Sequence, residues 1–324
     1  MRDAILSFGD QLKFEPKLQG PSLSIKTFTR IIIAGMGGSH LAADVIHAWK
    51  PELPIMIHTD YALGRSSSFD AQKTILIASS YSGNTEETID TFLSAGEKGI
   101  ARAAITAGGK LADLAEEQGV PYILLPKQEI QPRSAIGLSL KALLKILEEK
   151  EALQEMNALS QTLIPVTIEE KGKMLAERIG ERIPLIYASA KNVAIAYNWK
   201  IKCNETGKIP AFYNIFPESN HNEMTGFDAV ERMRAIPSLF FFIFLHDTDD
   251  DPRNQKRMEV TANLYRNLGI EGEIIPLQES SFFEKVLGAL ILADWTAYYI
   301  AMRHRADPEH VPMVEEFKRL IANK

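Results

Sequence analysis

The stretch "TILIASSYSGNTEET" at residues 74–88 shows most clearly how this chain folds. Its apolar start, Thr74–Ala78, is rich in β-branched residues and is typical of a buried strand. The Gly-Asn pair that follows marks a turn. Glu86 and Glu87 suit the first turn of a helix, because the positive end of the helix dipole stabilises carboxylates. The stretch therefore predicts a strand–turn–helix unit, with Asn84 as the N-cap and Glu87 as its capping-box partner.

The same arrangement surrounds this unit on both sides. "RIIIAGMGGSH" (30–40) gives a second strand, which a glycine turn connects to a helix. Further strands are predicted at 55–58, 101–106 and 121–126, and further helices at 86–97 and 135–149. Strands that are apolar throughout and alternate with amphipathic helices predict a parallel sheet covered on both faces.

The alternation resumes after a helical stretch at 150–182. Strands are predicted at 183–189, 239–247 and 272–277, and helices at 193–206, 252–268, 282–304 and 311–322. A length of 324 residues is enough for two domains of ordinary size. We therefore expect an α/β protein with two doubly wound parallel-sheet domains, 1–150 and 151–324.

Composition narrows the function classes. Hydrophobic residues make up 45% of the chain and charged residues 24%, which is typical of a soluble globular protein. A net charge of −6 argues against nucleic-acid binding. The single cysteine, Cys203, excludes an intrachain disulfide and fits a reducing cytoplasm. The N-terminal residues lack the apolar core of a secretory signal, and "LFFFIFL" (239–245) is too short to span a bilayer, so we expect a cytoplasmic protein without a membrane partner.

Hydroxyl-rich and glycine-rich turns follow two of the predicted strands. In "GMGGSH" (35–40), Gly38 and its neighbours permit close backbone approach, and helix N-termini attract phosphate. The alternative is a tight turn with Ser39 as N-cap; His40 excludes the dinucleotide motif G-x-G-x-x-G. The second turn lies in "SYSGNT" (80–85). A helix start there explains Asn84 and the glutamates that follow, but it does not explain the hydroxyls of Ser80, Ser82 and Thr85. Since parallel sheets bind ligands at the carboxyl ends of their strands, we expect a phosphate site there.

Four other polar residues have ordinary explanations when each is considered alone. Glu205 could be a solvated helix-end carboxylate, His221 a surface histidine and Arg133 a helix-start ion pair. Lys318 could belong to a solvated helix face together with Glu315.

Taken together, the motifs resemble a known family. "GMGGS" and "SYSGNTEET" resemble the sugar isomerase (SIS) fold. "QPRSAIGLSL" (131–140), "CNETGKIPAFYN" (203–214) and "FPESNHNEMTGF" (216–227) resemble the bifunctional phosphoglucose/phosphomannose isomerases, and the likeness runs from about residue 30 to the C-terminal helix. The resemblance implies two SIS domains and interconversion of glucose 6-phosphate, and also mannose 6-phosphate, with fructose 6-phosphate. The reaction would pass through a cis-enediol, without a metal or cofactor.

The resemblance also implies residue roles. Glu205 is the expected proton-shuttling base, Arg133 stabilises the enediolate, and His221 opens the sugar ring from the neighbouring subunit of a homodimer. Lys318 assists ring opening. The expected phosphate contacts are Gly38, Ser39, Ser80, Ser82 and Thr85.

The sequence differs from the family pattern at two places, and three other functions compete with the isomerase expectation. His40 stands where the family has a small residue, and "DPEHVPM" lacks the family's threonine, which weakens the expectation for mannose 6-phosphate. The seven histidines show no zinc-site spacing, which argues against a zinc-dependent isomerase. A glucosamine-type amidotransferase module would need an ammonia source, and a non-catalytic sugar-phosphate sensor would not need Glu205, His221 and Arg133.

Overall fold

The computed structural model describes residues 1–64, 70–128, 130–228 and 235–322. The chain divides into two compact units. The N-terminal unit comprises Leu6–Ile164 and Phe282–Glu284, and the C-terminal unit comprises Met1–Ile5, Pro165–Ser281 and Lys285–Lys324. The functional division at residue 150 stays a prediction.

The described residues form the following helices and strands. The helices are α1 (Arg2–Leu6), α2 (Phe8–Leu12), α3 (Leu41–Trp49), α4 (Glu86–Glu97), α5 (Gly109–Glu117), α6 (Ile136–Ile146), α7 (Lys150–Thr162), α8 (Val166–Ile179), α9 (Val193–Glu205), α10 (Glu223–Gly226), α11 (Pro252–Asn267), α12 (Phe282–Arg303) and α13 (Pro312–Ala322). The strands are β1 (Leu18–Gln19), β2 (Arg30–Ala34), β3 (Ile55–His58), β4 (Thr74–Ser80), β5 (Ala101–Thr106), β6 (Tyr122–Leu124), β7 (Ile183–Ser189), β8 (Phe212–Phe216), β9 (Phe240–Asp247) and β10 (Gly272–Leu277).

The sheet of the N-terminal unit has the order β1-β6-β5-β4-β2-β3. All its pairings are parallel except that of the two-residue strand β1 with β6. Its core on one face joins Ile32, Leu76 and Ala104 of the strands to Phe92 of α4 and Leu111 of α5, all buried. Strands this apolar are expected where helices cover both faces of a parallel sheet, so the predicted α/β architecture is confirmed.

The sheet of the C-terminal unit has the order β10-β9-β7-β8, and all its pairings are parallel. The "LFFFIFL" segment is its central strand β9, and Phe242 and Phe244 pack with Tyr187 of β7 and Tyr265 of α11. Hydrophobic pattern alone missed the edge strand β8, because "FYNIF" lies inside a polar stretch and is half exposed.

One helix in the described part of the chain, α12, is long and apolar enough to cross a membrane. Within the protein, 78% of its apolar window is buried, as in the core helix of a globular unit. For example, Trp295 of α12 is buried and donates to the carbonyl oxygen of Pro165 at 2.8 Å.

Candidate active site

The two hydroxyl-rich turns lie between β2 and β4, where the order in which the chain adds strands to the first sheet reverses. Strands β2 and β4 are neighbours, with Ala34 opposite Ala78. From β2 the chain continues to β3 on one side, and from β4 to β5 on the other. Such a point leaves a crevice at the carboxyl ends of the strands, where doubly wound sheets bind ligands. The turns 35–39 and 81–85 border this crevice.

Hydrogen bonds tie the two turns together through Ser39. Its carbonyl oxygen accepts from Ser79 Oγ at 2.7 Å, and its own Oγ accepts from the N–H of Tyr81 at 3.2 Å. Ser39 ends a short 3-10 turn, Gly37–Ser39, and His40 is the N-cap of α3. Ser39 as N-cap, the alternative interpretation of the first turn, is therefore wrong; its hydroxyl bonds across to the second turn instead.

The second turn is closed by its own hydroxyls. Ser80 Oγ lies 2.9 Å from Thr85 Oγ1 and accepts from the N–H of Gly83 at 3.1 Å. Ser82 Oγ accepts from the N–H of Asn84 at 3.2 Å. Ser80 is buried, whereas Ser82 is exposed. The turn therefore has one buried and one exposed serine hydroxyl close to Gly83.

The predicted helix start at Asn84 needs correction. The N-cap of α4 is Thr85, and Asn84 Oδ1 instead accepts from the backbone N–H of Lys110 at 3.1 Å. This bond joins the turn to the start of α5. The amide therefore finds a tertiary partner that a local capping pattern does not reveal.

Glycines allow the close approaches that shape this crevice. A Cβ on Gly38 would lie 2.7 Å from the backbone nitrogen of Arg133. A Cβ on Gly83, whose φ is +69°, would lie 1.7 Å from the carbonyl oxygen of Gly108. Arg133 follows Pro132 in a 3-10 turn before α6, and it is 1% exposed. The structure therefore brings Gly38, Ser39 and Arg133 to one corner of the N-terminal unit.

His40 occupies a defined position within this unit. It is buried, and its Nδ1 lies 2.8 Å from Asp44 Oδ2, one helical turn along α3. The imidazole thus packs along its own helix.

In the C-terminal unit Glu205 is the last residue of α9, as predicted, and is half-buried. Two features hold this helix end. Lys202 Nζ forms a buried ion pair with Asp294 Oδ1 of α12 at 2.6 Å. Asn204 Nδ2 donates to the carbonyl oxygen of Ile209 at 3.0 Å. Because both anchors lie within three residues of Glu205, they hold the backbone that carries its carboxylate.

His221 lies on a 3-10 turn, Glu218–His221, and is exposed. Asn220 beside it donates to Thr261 Oγ1 of α11 at 3.0 Å. Glu223, which follows, accepts from the hydroxyl of Tyr187 at 2.5 Å and from Asn214 Nδ2. Glu223 thus anchors the turn to β7 and β8, and its two oxygens are engaged there.

Lys318 is exposed on α13, the last described helix. Its neighbour Arg319 pairs with Glu316, because Arg319 Nε and Nη2 each donate a hydrogen bond to the Glu316 carboxylate. Among the described residues, none forms a hydrogen bond or ion pair with the side chain of Lys318. The structure therefore does not bring Lys318 to Glu205 or His221 through direct contact.

The carboxyl ends of β7 and β9 in the second sheet carry a charge network. Asn192 Nδ2 donates to Asp247 Oδ2 at 2.9 Å, and Lys285 Nζ pairs with the same oxygen at 2.7 Å. Asp250 accepts from Ser189 Oγ at 2.8 Å. These side chains are buried, and the Lys285 ammonium offsets the charge of the Asp247 carboxylate.

Metal ligation finds little support in the geometry. Within residues 1–64, 70–128, 130–228 and 235–322, no three His, Cys, Asp or Glu side chains come together as a metal site would require. Cys203 is buried, and burial raises the pKa of its thiol to about 12.

Sequence reasoning missed several residues around Glu205 and His221. Lys202, Lys208 and Tyr187 join elements distant in the chain, and no local motif marks them. Asp307 and His310 bond to each other, and the sequence could have indicated this pair. An Asp and a His stand three residues apart there, in a turn after a helix.

The fold and these turns define the class: a sugar isomerase (SIS) fold with hydroxyl-bearing turns at the carboxyl ends of two neighbouring strands. A solved structure of a hypothetical protein from Thermus thermophilus superposes with a TM-score of 0.71 at 16% identity, covering 98% of this chain and 90% of that one. A tagatose-6-phosphate ketose/aldose isomerase from Escherichia coli gives 0.65 at 17% identity, covering 95% and 88%. At such identities the likeness concerns the fold alone.

Sequence comparisons give the family. The model described as "Bacterial phospho-glucose isomerase C-terminal SIS domain" matches residues 168–321. The chain is 33% identical to bifunctional phosphoglucose/phosphomannose isomerases from Caldicellulosiruptor bescii (90% of this chain, 89% of the relative) and Thermoplasma volcanium (99% of each). It is 29% identical to a D-glucosamine-6-phosphate 4-epimerase from Sulfolobus acidocaldarius (92% and 91%). The chain belongs to the bifunctional phosphoglucose/phosphomannose isomerase family, as its motifs predict.

Proposed function

We propose that this protein is an aldose–ketose isomerase that interconverts glucose 6-phosphate, and also mannose 6-phosphate, with fructose 6-phosphate. One observation carries the proposal. A chain of this family has hydroxyl-bearing turns at the carboxyl ends of the neighbouring strands β2 and β4, with buried Arg133 packed against Gly38. The same chain holds Glu205 at an anchored helix end.

The phosphate group is the part of the substrate that the crevice suits. Backbone N–H groups at a helix start and serine or threonine hydroxyls donate hydrogen bonds to phosphate oxygens. In this proposal Ser39, Ser80, Ser82 and Thr85 bind the phosphate, and Gly38 lets the backbone approach it. Hydroxyls that bond to one another in the free protein exchange those bonds for bonds to phosphate.

The reacting carbons need a base and a cation. Glu205 takes the proton from C2 of the open-chain aldose and returns it to C1, which yields the ketose through a cis-enediol. The Arg133 guanidinium stabilises the negative charge that develops on the enediolate oxygens, since it stays charged at any working pH. His221 opens the sugar ring, and Lys318 assists it. The reaction needs no metal or cofactor.

The protein is proposed to act in the cytoplasm as a homodimer in which His221 serves the partner's active site. Two features support an interface. His221 is exposed on an anchored turn. Helix α13 carries Met313, Phe317 and Leu320 at 85%, 60% and 58% exposure. Apolar side chains spaced three and four residues apart form one face of a helix and favour burial.

The experiment is a coupled assay with glucose 6-phosphate and mannose 6-phosphate, comparing wild type with Glu205→Gln. Removing a general base lowers turnover by about a hundredfold or more. Glu170→Gln, on the exposed part of α8, is the matched control and keeps full activity. EDTA leaves activity unchanged.

Other outcomes distinguish the alternatives. If wild type binds both sugar phosphates without turning over either, the protein is a sensor. Epimerisation of glucosamine 6-phosphate at C4, followed by NMR, would instead assign the activity named for one relative. If Glu205→Gln retains wild-type turnover, the mechanism is wrong even though the family stands.

A further inference from the structure

One lysine ties the end of α9 to the turn that precedes α13. Lys208 Nζ donates to the carbonyl oxygen of Glu205 at 2.6 Å and also to the carbonyl oxygen of His310. The φ of Lys208 is +59°, a left-handed conformation that few residues with a Cβ adopt. Since one ammonium binds both carbonyl groups, the backbones of Glu205 and His310 are close neighbours.

His310 is paired with a carboxylate in its own turn. Its Nδ1 lies 2.6 Å from Asp307 Oδ2. The other oxygen, Asp307 Oδ1, accepts from the backbone N–H of Glu309 at 2.8 Å. The hydrogen bond with His310, aided by the charge of Lys208, holds the pKa of Asp307 below its usual range. Asp307 is therefore an anion at neutral pH and fixes the imidazole.

An imidazole held at one nitrogen by a carboxylate is well suited to proton transfer. The carboxylate orients the ring and holds one nitrogen, which leaves the other to face a proton donor or acceptor. Nε2 is the ring nitrogen not bonded to Asp307, and the side chain is 70% exposed, so a solute can reach it.

The isomerisation contains a proton transfer that Glu205 does not perform. Glu205 moves the carbon-bound proton from C2 to C1. Going from aldose to ketose, O1 must also gain a proton while O2 loses one. An acid–base group beside Glu205 would serve both oxygens.

We propose that His310, oriented by Asp307, carries this hydroxyl proton; the inference rests on the proposed isomerase function. Glu205 first removes the C2 proton, the C–H electron pair forms the C1–C2 double bond, and the carbonyl electrons leave an enediolate with its negative charge on O1. Protonated Nε2 then gives its proton to O1, and neutral Nε2 takes the O2 proton, which moves the charge to O2. The O2 electron pair finally forms C2=O as the double bond takes the proton from Glu205 at C1. Both residues return to their starting states, so protons and electrons balance.

The test follows fructose 6-phosphate in D2O by proton NMR, measuring loss of the C1 hydrogen and formation of glucose 6-phosphate separately. We expect His310→Ala to slow net isomerisation about a hundredfold. Exchange at C1 should fall much less, because Glu205 still removes the carbon-bound proton. Asp307→Asn, which keeps the imidazole, should change the ratio of the two rates in the same direction and decides the matter should His310→Ala fail to fold.

The matched control is His304→Ala. His304 Nδ1 lies 3.5 Å from Glu181, a second imidazole–carboxylate pair, and its loss should leave both rates unchanged. Equal losses of exchange and isomerisation in His310→Ala, or a loss below about twofold, overturn the role of His310 while wild-type turnover keeps the isomerase proposal. Absence of turnover by wild type overturns the isomerase proposal itself, and the role of His310 with it.

Discussion

Lys202 Nζ lies 2.6 Å from Asp294 Oδ1, and both side chains are buried in the C-terminal unit. The pair joins α9 to the core helix α12, one turn before Glu205. A buried pair contributes little compared with an apolar replacement, but removing one partner leaves an uncompensated charge. Its position therefore makes the end of α9, and with it the proposed base, sensitive to either residue.

Lys202→Met should lower the free energy of unfolding by about 3–5 kcal/mol, because the buried Asp294 carboxylate loses the ammonium group that pairs with it. Lys202→Met combined with Asp294→Leu should restore much of this loss. Urea unfolding followed by circular dichroism measures both. The control is Lys256→Met, which breaks an exposed pair with Glu259 and should cost less than about 1 kcal/mol. Equal effects of Lys202→Met and Lys256→Met would contradict the role of burial.

Gly83→Ala should distort the turn that contains Ser80, Ser82 and Thr85. Both the left-handed φ of +69° and a Cβ only 1.7 Å from the Gly108 carbonyl oxygen oppose a side chain. Gly99 has φ +67° with nothing within 4 Å of its Cβ position. Gly99→Ala should therefore lower the free energy of unfolding by only about 1–2 kcal/mol, the cost of a left-handed backbone for a residue with a Cβ. Gly83→Ala should lower it by clearly more.

Thermal unfolding and KM for glucose 6-phosphate check the two glycine variants. Gly83→Ala should also raise KM, whereas Gly99→Ala should leave it unchanged. An unchanged KM in a folded Gly83→Ala protein would argue against phosphate binding by this turn.

Tyr187→Phe should loosen the turn that carries His221. Burial, together with the nearby Tyr265 and Glu223, raises the pKa of Tyr187, so its hydroxyl remains a donor at any working pH. Removing this donor to the Glu223 carboxylate should cost about 1.5–3 kcal/mol of stability. Differential scanning calorimetry measures the loss. Tyr213→Phe, at a half-exposed ring of β8, is the control and should be nearly neutral; a neutral Tyr187→Phe would show that the bond to Glu223 is dispensable.

Acid should weaken the charge network at Asp247. Burial disfavours its carboxylate, but hydrogen bonds from Lys285, the N–H of Asp249 and Asn192 outweigh burial and lower the pKa of Asp247. A lowered folded pKa gives stability that is present above the unfolded value, about 3.9, and lost as the pH falls through the folded value. Asp247→Asn should therefore be less stable at pH 7 and should lose less on acidification below about pH 4 than wild type.

Asp250 supplies the matched control for this pH dependence, because burial raises its pKa. Its contribution has the opposite sign: it is present below the unfolded pKa and lost as the pH rises through the folded one. Asp250→Asn should steepen the acid loss. Urea unfolding from pH 3 to pH 7 measures all three proteins, and identical slopes would contradict both assignments.

Phe317→Asp should weaken the proposed homodimer. Phe317 is 60% exposed at the centre of the apolar face of α13, and a carboxylate there would be buried on association. Light scattering after size-exclusion chromatography should give a larger monomer fraction than wild type. Leu268→Asp, at an exposed apolar residue of the α11 C-terminus, should not. A dimer unaffected by Phe317→Asp would remove α13 from the interface.

The sequence alone determined the alternation of strands and helices, the parallel character of both sheets and the family. The elements and sheets depend on local properties: the hydrophobic period, β-branched runs, and glycine and hydroxyl turns that follow strands. The family was indicated by the resemblance of the motifs to known sequences. "RIIIAG" and "LFFFIFL" indicated strands, and the structure confirms them as β2 and β9. "SSYSGNTEET" indicated the turn before α4, but not its cap, because Asn84 bonds to Lys110 instead.

The partners that fix the positions of the proposed catalytic residues are visible in the tertiary structure alone. Lys202 reaches Asp294 across 92 residues, and Lys208 reaches His310 across 102. Gly38 meets Arg133 through backbone proximity that no composition signals. Such pairs depend on how helices pack over a sheet, and burial then makes each partner necessary to the other. Local sequence pattern therefore determined the elements, whereas packing between elements distant in the chain decided the surroundings of Glu205, His310 and Arg133.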